Sequence, residues 1–355
     1  MDYLNITVNN DNSPYIAFDK VDALNNADPN YLKLSRAAVE ARLAASTAAP
    51  TKNSNKSNIY SAYASNVLNL TDRLLAMLSL RVDRYHNRGI HNQATNALTV
   101  NTAYLQTAVS PKLGLVYQVV KDKVSLFGNY MNGFSYVPPF AQPPETGLSG
   151  TFKPQHANQF EAGVKMELFE GKLSFTASAY DIEVENVTRD ETIDIGGTNY
   201  NVRFQDGTQK SRGVELELIT NPLEGLNIIA GYSYNDSELT KAIPQLIGRR
   251  PTSAGPVTLV NSWISYVIPH GNFKGLGIGT GINYIGKHKT SNHVTTGVFT
   301  LPSYIMATAT VFYDKPRYRL GVKVDNLADE KYFAGTGVLT PQMPRTIAAS
   351  FTFKF

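Results

Sequence analysis

Apolar and polar residues alternate with a period of two at the end of the chain. Ile347, Ala349, Phe351, Phe353 and Phe355 fall on one face, and Ala348, Ser350, Thr352 and Lys354 on the other. That period belongs to an extended strand with one apolar side. The same pattern recurs upstream. Leu74, Ala76, Leu78, Leu80 and Val82 share one parity, as do Phe160, Ala162, Val164, Met166 and Leu168. So do Leu226, Ile228, Ala230, Tyr232 and Tyr234, then Leu276, Ile278, Thr280, Ile282 and Tyr284, then Tyr318, Leu320, Val322 and Val324. Several of these runs reach about ten residues, the length needed to cross a bilayer at a tilt, whereas sandwich strands usually hold five or six.

Fourteen strands are predicted, at 2–9, 57–68, 72–86, 109–119, 123–135, 157–168, 172–186, 210–220, 225–238, 255–267, 274–287, 301–313, 317–326 and 345–355. Within 172–186 the apolar residues change parity between Leu173/Phe175 and Tyr180/Ile182/Val184, which predicts a bulge. Short turns rich in Gly, Pro, Asn and Asp alternate with long polar segments at 87–108, 136–156, 188–209, 239–254, 288–300 and 327–344. Short periplasmic turns and long extracellular loops give a transmembrane barrel that asymmetry. One segment departs from the pattern. After Asp28-Pro29, the spacing of Leu32, Leu34, Val39 and Leu43 predicts a short helix near 30–44, inside a long first loop over 10–56.

Composition narrows the class. No stretch approaches 18 consecutive apolar residues, so no helical span is expected. A mean hydropathy of −0.22 is what two opposed faces average to. The 355 residues contain no cysteine, which removes disulfides, thiol nucleophiles and Cys-ligated metal. The 33 Lys+Arg against 29 Asp+Glu are too balanced to argue for nucleic acid. The opening MDYLNITVNN has no basic and apolar regions of a signal peptide.

Several strings resemble TonB-dependent outer-membrane siderophore receptors. They are SPKLGLVY at 110–117, KPQHANQFEAGVK at 153–165, SRGVELE at 211–217 with NPLEGL at 221–226 and AGYSY at 230–234, VDNLADEKY at 324–332, and PRTIAASFTFKF at 344–355. The resemblance implies an all-β antiparallel transmembrane β-barrel in the outer membrane of a Gram-negative bacterium. It also implies a partner list: a ferric siderophore or similar iron chelate, outer-membrane lipid and lipopolysaccharide, the barrel assembly machinery, and TonB acting through a plug. Such transporters have 22 strands around a plugged lumen. The expectation is therefore a partial barrel domain over 1–355, with plug and eight strands outside these residues. A complete fourteen-stranded passive porin is the alternative, and a soluble β-rich binding protein is a third.

The chemistry of the residues favours binding over catalysis. Glu161, Glu167, Glu215 and Glu217 are expected on the lumen face, paired with Lys165, Arg212, Arg319, Lys323 or the plug. The six histidines are scattered, without metal-ligand spacing, and no nucleophile or phosphate-loop motif occurs. No enzyme, cofactor or metal site is expected. The glycines at 275, 277, 279 and 281 suggest a bare lumen face that another backbone approaches. For an iron chelate the candidate loop ligands are Tyr136, Phe140, Tyr200, Phe204, Phe299, Tyr332 and Phe333 by stacking, and Arg203, Arg249 and Arg250 against negative charge. Phe351, Phe353 and Phe355 are the expected barrel-assembly signal.

Overall fold

The computed structural model describes residues 2–8, 50–93, 95–99, 102–295, 297–335 and 339–355; the expected helix near 30–44 lies outside them. Fourteen antiparallel strands form one sheet in sequence order. They are β1 (Asp2–Val8), β2 (Pro50–Asn69), β3 (Leu74–Asn92), β4 (Ala103–Val120), β5 (Val124–Ser135), β6 (Gln155–Leu168) and β7 (Leu173–Ile195). There follow β8 (Thr198–Thr220), β9 (Leu226–Lys241), β10 (Thr258–Val267), β11 (Leu276–Ile285), β12 (Tyr304–Asp314), β13 (Tyr318–Asp325) and β14 (Thr346–Phe353). Each expected strand has its counterpart in this order. Among the described residues no ladder joins β1 to β14, so the wall is open between them.

Register explains the alternation. One cross-strand row holds Leu115, Gly128, Ala162, Ala179, Val214 and Tyr234; the adjacent row, on the opposite face, holds Gly114, Asn129, Glu161, Tyr180, Gly213 and Asn235. Among the described residues only Ala108, Val137, Val202 and Leu301 are buried apolar side chains, while Leu113, Leu115, Val322 and Phe351 on the apolar face stay exposed. A sandwich would bury that face against a second sheet. An apolar face this extensive needs a hydrocarbon surrounding, as the wall of a membrane barrel has. Tyr266, Tyr313, Tyr318 and Phe353 lie on this face near the short turns, where an interfacial girdle belongs.

Four expectations are corrected. Register runs without a break from Leu173 to Val184, and the bulges come only after Val184, so Tyr180, Ile182 and Val184 do lie on the polar face. Tyr180 lies there over Gly213, where a Cβ would sit 2.5 Å from Cζ of its ring. Arg212 shares the parity of Val214 on the outward face and pairs with Asp181 at 2.6 Å, so it does not neutralise the lumen glutamates. The expected backbone approach occurs only at the ends of the glycine row, where a Cβ would lie 2.0 Å from the Asp314 carbonyl oxygen at Gly275 and 2.8 Å from the Ser262 carbonyl oxygen at Gly281, and rings cover the rest. A Cβ at Gly277 would lie 2.3 Å from Phe312, and at Gly279 and Gly281 it would lie 2.5 and 2.7 Å from Trp263. Finally, the segment 188–209 is not an irregular loop. β7 and β8 continue through it as a polar hairpin closed by Gly196 (φ 61°) and Gly197 (φ 86°), positive φ at both central positions being what a tight hairpin turn requires.

Candidate ligand-binding crown

The long connections gather at one end of the wall, and the β7–β8 hairpin is their scaffold. Two ion-pair clusters cross it. Arg203 Nε and Nη2 donate to the two carboxylate oxygens of Asp190 at 2.6 and 2.8 Å, and its guanidinium lies 4.5 Å from the Phe140 ring centre. Arg189 donates to Asp206 at 2.6 and 2.9 Å and to Glu191, and lies 4.7 Å from the Phe204 ring centre. Bidentate pairs of this kind are the strong form of the charge-assisted bond. The Arg203 and Arg189 guanidinia hold the Asp190 and Asp206 carboxyls below the usual carboxylate range, and both arginines are held above theirs.

Three glutamines fasten the 136–154 connection, Gln142 and Gln205 to the hairpin and Gln106 to β4. Gln142 accepts from the Arg203 amide (3.1 Å) and donates to its carbonyl (2.6 Å). Gln205 does the same for Lys153, at 2.8 and 2.6 Å. Gln106 accepts from the Val137 amide at 3.0 Å and donates to the Val137 and Phe152 carbonyls at 2.7 and 2.8 Å. Each primary amide thus replaces one rung of a backbone ladder and satisfies groups that a loop would otherwise leave unpaired. None was singled out from sequence, because a Gln in a polar loop has no periodic signature.

Between the hairpin, the 136–154 connection, the 242–250 segment and the ribbon His288–His293/Gly297–Leu301 lies a cleft of about 740 Å³, lined by Phe140, Asp190, Glu191, Thr192, Val202, Ile243 and His293 among others. Phe140 is the one expected ligand residue in its lining. Arg203 and Phe204 stand behind the lining through the clusters above. Tyr200 faces Ile193 across the hairpin.

The other candidates are engaged elsewhere. Arg250 donates to the carbonyls of Asn235, Ala254, Gly255 and Pro256 and to Asn235 Oδ1, at 2.8 to 3.2 Å. Burial pushes its pKa below the ordinary arginine value. Arg249 donates to Asn292 Oδ1 at 3.0 Å, while Asn292 donates to the Arg250 carbonyl at 2.8 Å, which fastens the 242–250 segment to the ribbon. Tyr136 stacks on Tyr85 with centroids 4.4 Å apart, and Tyr332 packs on Tyr304 at 4.4 Å. Phe333 pairs with Pro341, and Phe299 faces Ser291 in the ribbon. Sequence reasoning overlooked Asp190, Glu191, Arg189 and Asp206; the signal present was the dense alternation of charge at 189–191 and 203–206.

The VDNLADEKY string also has a physical account. Asn326 is 1% exposed and sits at φ 53°. Its Nδ2 donates to the Glu330 and Met343 carbonyls at 2.9 and 3.3 Å, and its Oδ1 accepts from the Glu330 amide at 2.8 Å. Asp329 Oδ1 accepts from the Arg345 amide at 2.8 Å. Together they set the entry to β14.

Comparison with known proteins agrees with this architecture. A family model described as TonB dependent receptor-like, beta-barrel, matches residues 3–327. The metal-pseudopaline receptor CntO of Pseudomonas aeruginosa is 28% identical over 307 residues, covering 81% of this chain and 40% of that protein. The ferrioxamine B receptor of Salmonella typhimurium is 32% identical over 238 residues, covering 65% of this chain and 32% of that protein. The crystal structure of the ferric-catecholate import receptor Fiu from Escherichia coli K12 superposes with a TM-score of 0.69 at 20% identity, over 86% of this chain and 46% of that one. The chain therefore spans less than half the length of these relatives.

Proposed function

From a chain that belongs to the TonB-dependent receptor β-barrel family, we propose that these 355 residues form the wall and loop crown of an outer-membrane receptor for a ferric siderophore. The observation that carries this is the crown cleft, mounted on a wall whose apolar face is outward and whose polar face lines a lumen. The named ligands of the relatives, ferrioxamine B among them, support a metal chelate as the cargo. Family membership is that of receptors and transporters, and it favours this reading over a passive porin or an enzyme.

In this reading the chain supplies capture, while energised import is contributed by a plug that TonB pulls, in sequence outside these residues. Among the described residues nothing pairs with the outer edges of β1 and β14, and hydrocarbon does not tolerate unpaired edges, which supports a ladder completed by further strands. Phe351, Phe353 and Phe355 continue the outward row to the terminus; the Phe353 and Phe355 rings meet edge-on at 5.3 Å. They serve as the segment the assembly machinery recognises, and outward aromatics meet lipid and lipopolysaccharide.

The test is retention of a ⁵⁵Fe-labelled siderophore by outer-membrane vesicles carrying the chain, alongside uptake by whole cells. Saturable binding without uptake dependent on proton-motive force is expected. Force-dependent uptake by this chain alone would refute the division of labour, and a stable open conductance in planar bilayers without saturable binding would favour the porin.

A further inference from the structure

The crown was expected to meet a negatively charged chelate with arginines, and the geometry points elsewhere. None of the eleven residues lining the cleft is Lys or Arg, whereas Asp190 and Glu191 are among them. The four nearby guanidinia are all engaged within the chain: Arg203 by Asp190, Arg189 by Asp206 and Glu191, Arg249 by Asn292, and Arg250 by backbone carbonyls and Asn235. In the two ion-pair clusters two arginines face three carboxylates, and it is the carboxylates Asp190 and Glu191, not the arginines, that line the cleft.

We propose that this cleft takes an uncharged or monocationic ferric chelate, of the trihydroxamate type, and discriminates against a polyanionic one of the tricatecholate type. The inference rests on the receptor reading above and deepens it. A trianion entering the cleft would surrender its hydration without gaining a free cationic donor, the costly case of charge desolvation. It would also meet Asp190 and Glu191 at short range, where like charges juxtaposed across an interface oppose binding. A neutral or singly positive complex meets neither obstacle. It finds Phe140, Ile243 and Pro244 for apolar contact, with Asn201 and Gln245 as amide partners for its carbonyls.

The experiment measures binding of three ferric complexes to the full chain in detergent at pH 7.5, by retention of ⁵⁵Fe. The probes are an uncharged cyclic trihydroxamate, a linear trihydroxamate with one pendant ammonium, and a tricatecholate of charge −3. The first two are expected to bind at least about 30-fold more tightly than the third, roughly 2 kcal/mol of discrimination at 1.4 kcal/mol per tenfold. Equal or tighter binding of the tricatecholate overturns the inference while leaving the receptor reading intact; no binding of any probe overturns both.

Asp190→Asn removes the carboxylate that occupies Arg203. It is expected to shift the tricatecholate-to-trihydroxamate affinity ratio toward the tricatecholate at least about tenfold, a change of preference that loop collapse cannot produce, and an unchanged ratio would overturn the inference. If the variant binds nothing, the wild-type salt dependence decides. Raising salt screens exposed charges, so it should weaken the monocation, leave the uncharged probe flat and strengthen the trianion. A trianion whose affinity falls with salt would overturn the inference.

Discussion

The ring-over-glycine packing of the lumen face makes a quantitative prediction at Gly279. A Cβ added there would stand 2.5 Å from Cζ2 and 3.2 Å from Cε2 of Trp263, and 3.2 Å from Cγ2 of Thr310. Ordinary carbon contacts lie near 3.5–4.0 Å, so the indole must retreat by about 1 Å. It cannot slide along β11 without obstruction, because Phe312 already lies over Gly277, 2.3 Å from where its Cβ would be. Gly279→Ala is therefore expected to cost about 1–2.5 kcal/mol, within the usual range for overpacking. Expulsion of Trp263 into the lumen sets the ceiling. The ring would give up on the order of 100 Å² of contact, about 2.5 kcal/mol at 25 cal/mol/Å². The assay is urea unfolding of the chain in lipid vesicles, followed by the gel shift between folded and heat-denatured forms. Trp263→Ala serves as the second arm of a double-mutant cycle. In the Trp263→Ala background the Gly279→Ala cost should shrink to a few tenths of a kcal/mol. An undiminished cost there, or no cost in the wild type, would refute the idea that these glycines exist to admit the indole.

Other positions give sharper or simpler readouts. Asn326→Ala removes three hydrogen bonds from a buried side chain at positive φ and should lower stability by about 2–4 kcal/mol in the same urea titration; an unchanged midpoint would remove Asn326 from the account of the last loop. Gln142→Leu should raise proteolytic nicking within 136–154 several-fold while the wall strands stay protected, and unaltered nicking would mean the amide clasp contributes nothing. Arg250→Lys keeps the charge but not the fan of carbonyl contacts. It should loosen the 242–257 connection without changing the charge preference of the cleft, and the reverse result would make Arg250 a ligand arm. Asp190 and Asp206 have depressed carboxyl pKa values in the folded hairpin, so their stabilisation is fully present above the ordinary carboxylate range and is lost as pH falls through the folded values. Nicking of 187–206 by pepsin, taken relative to an unstructured control peptide at each pH, should therefore rise as pH falls through the folded carboxyl values; a flat ratio would count against the ion-pair clusters.

How much was legible in the sequence follows from what repeats. Strand order and sidedness were legible because hydrocarbon outside and water inside impose a two-residue period that one sequence records directly, from Leu74–Val82 to Ile347–Phe355. The short turns were legible through Gly, Pro, Asn and Asp. The extension of β7 and β8 into the crown was not, since the charges at 189–191 and 203–206 mask the short apolar alternation of Ile193/Ile195 and Tyr200/Val202/Phe204. Gly277, Gly279 and Gly281 announced a bare surface, but only the register that brings Trp263 and Phe312 across from neighbouring strands decided what fills it. The arginines are the clearest case. Sequence supplies their charge, and it suggested hands held out to an anion. Whether a guanidinium is free depends on the carboxylates, amides and carbonyls that tertiary structure brings within about 3 Å, and at Arg203, Arg249 and Arg250 those partners had already been supplied by the chain itself.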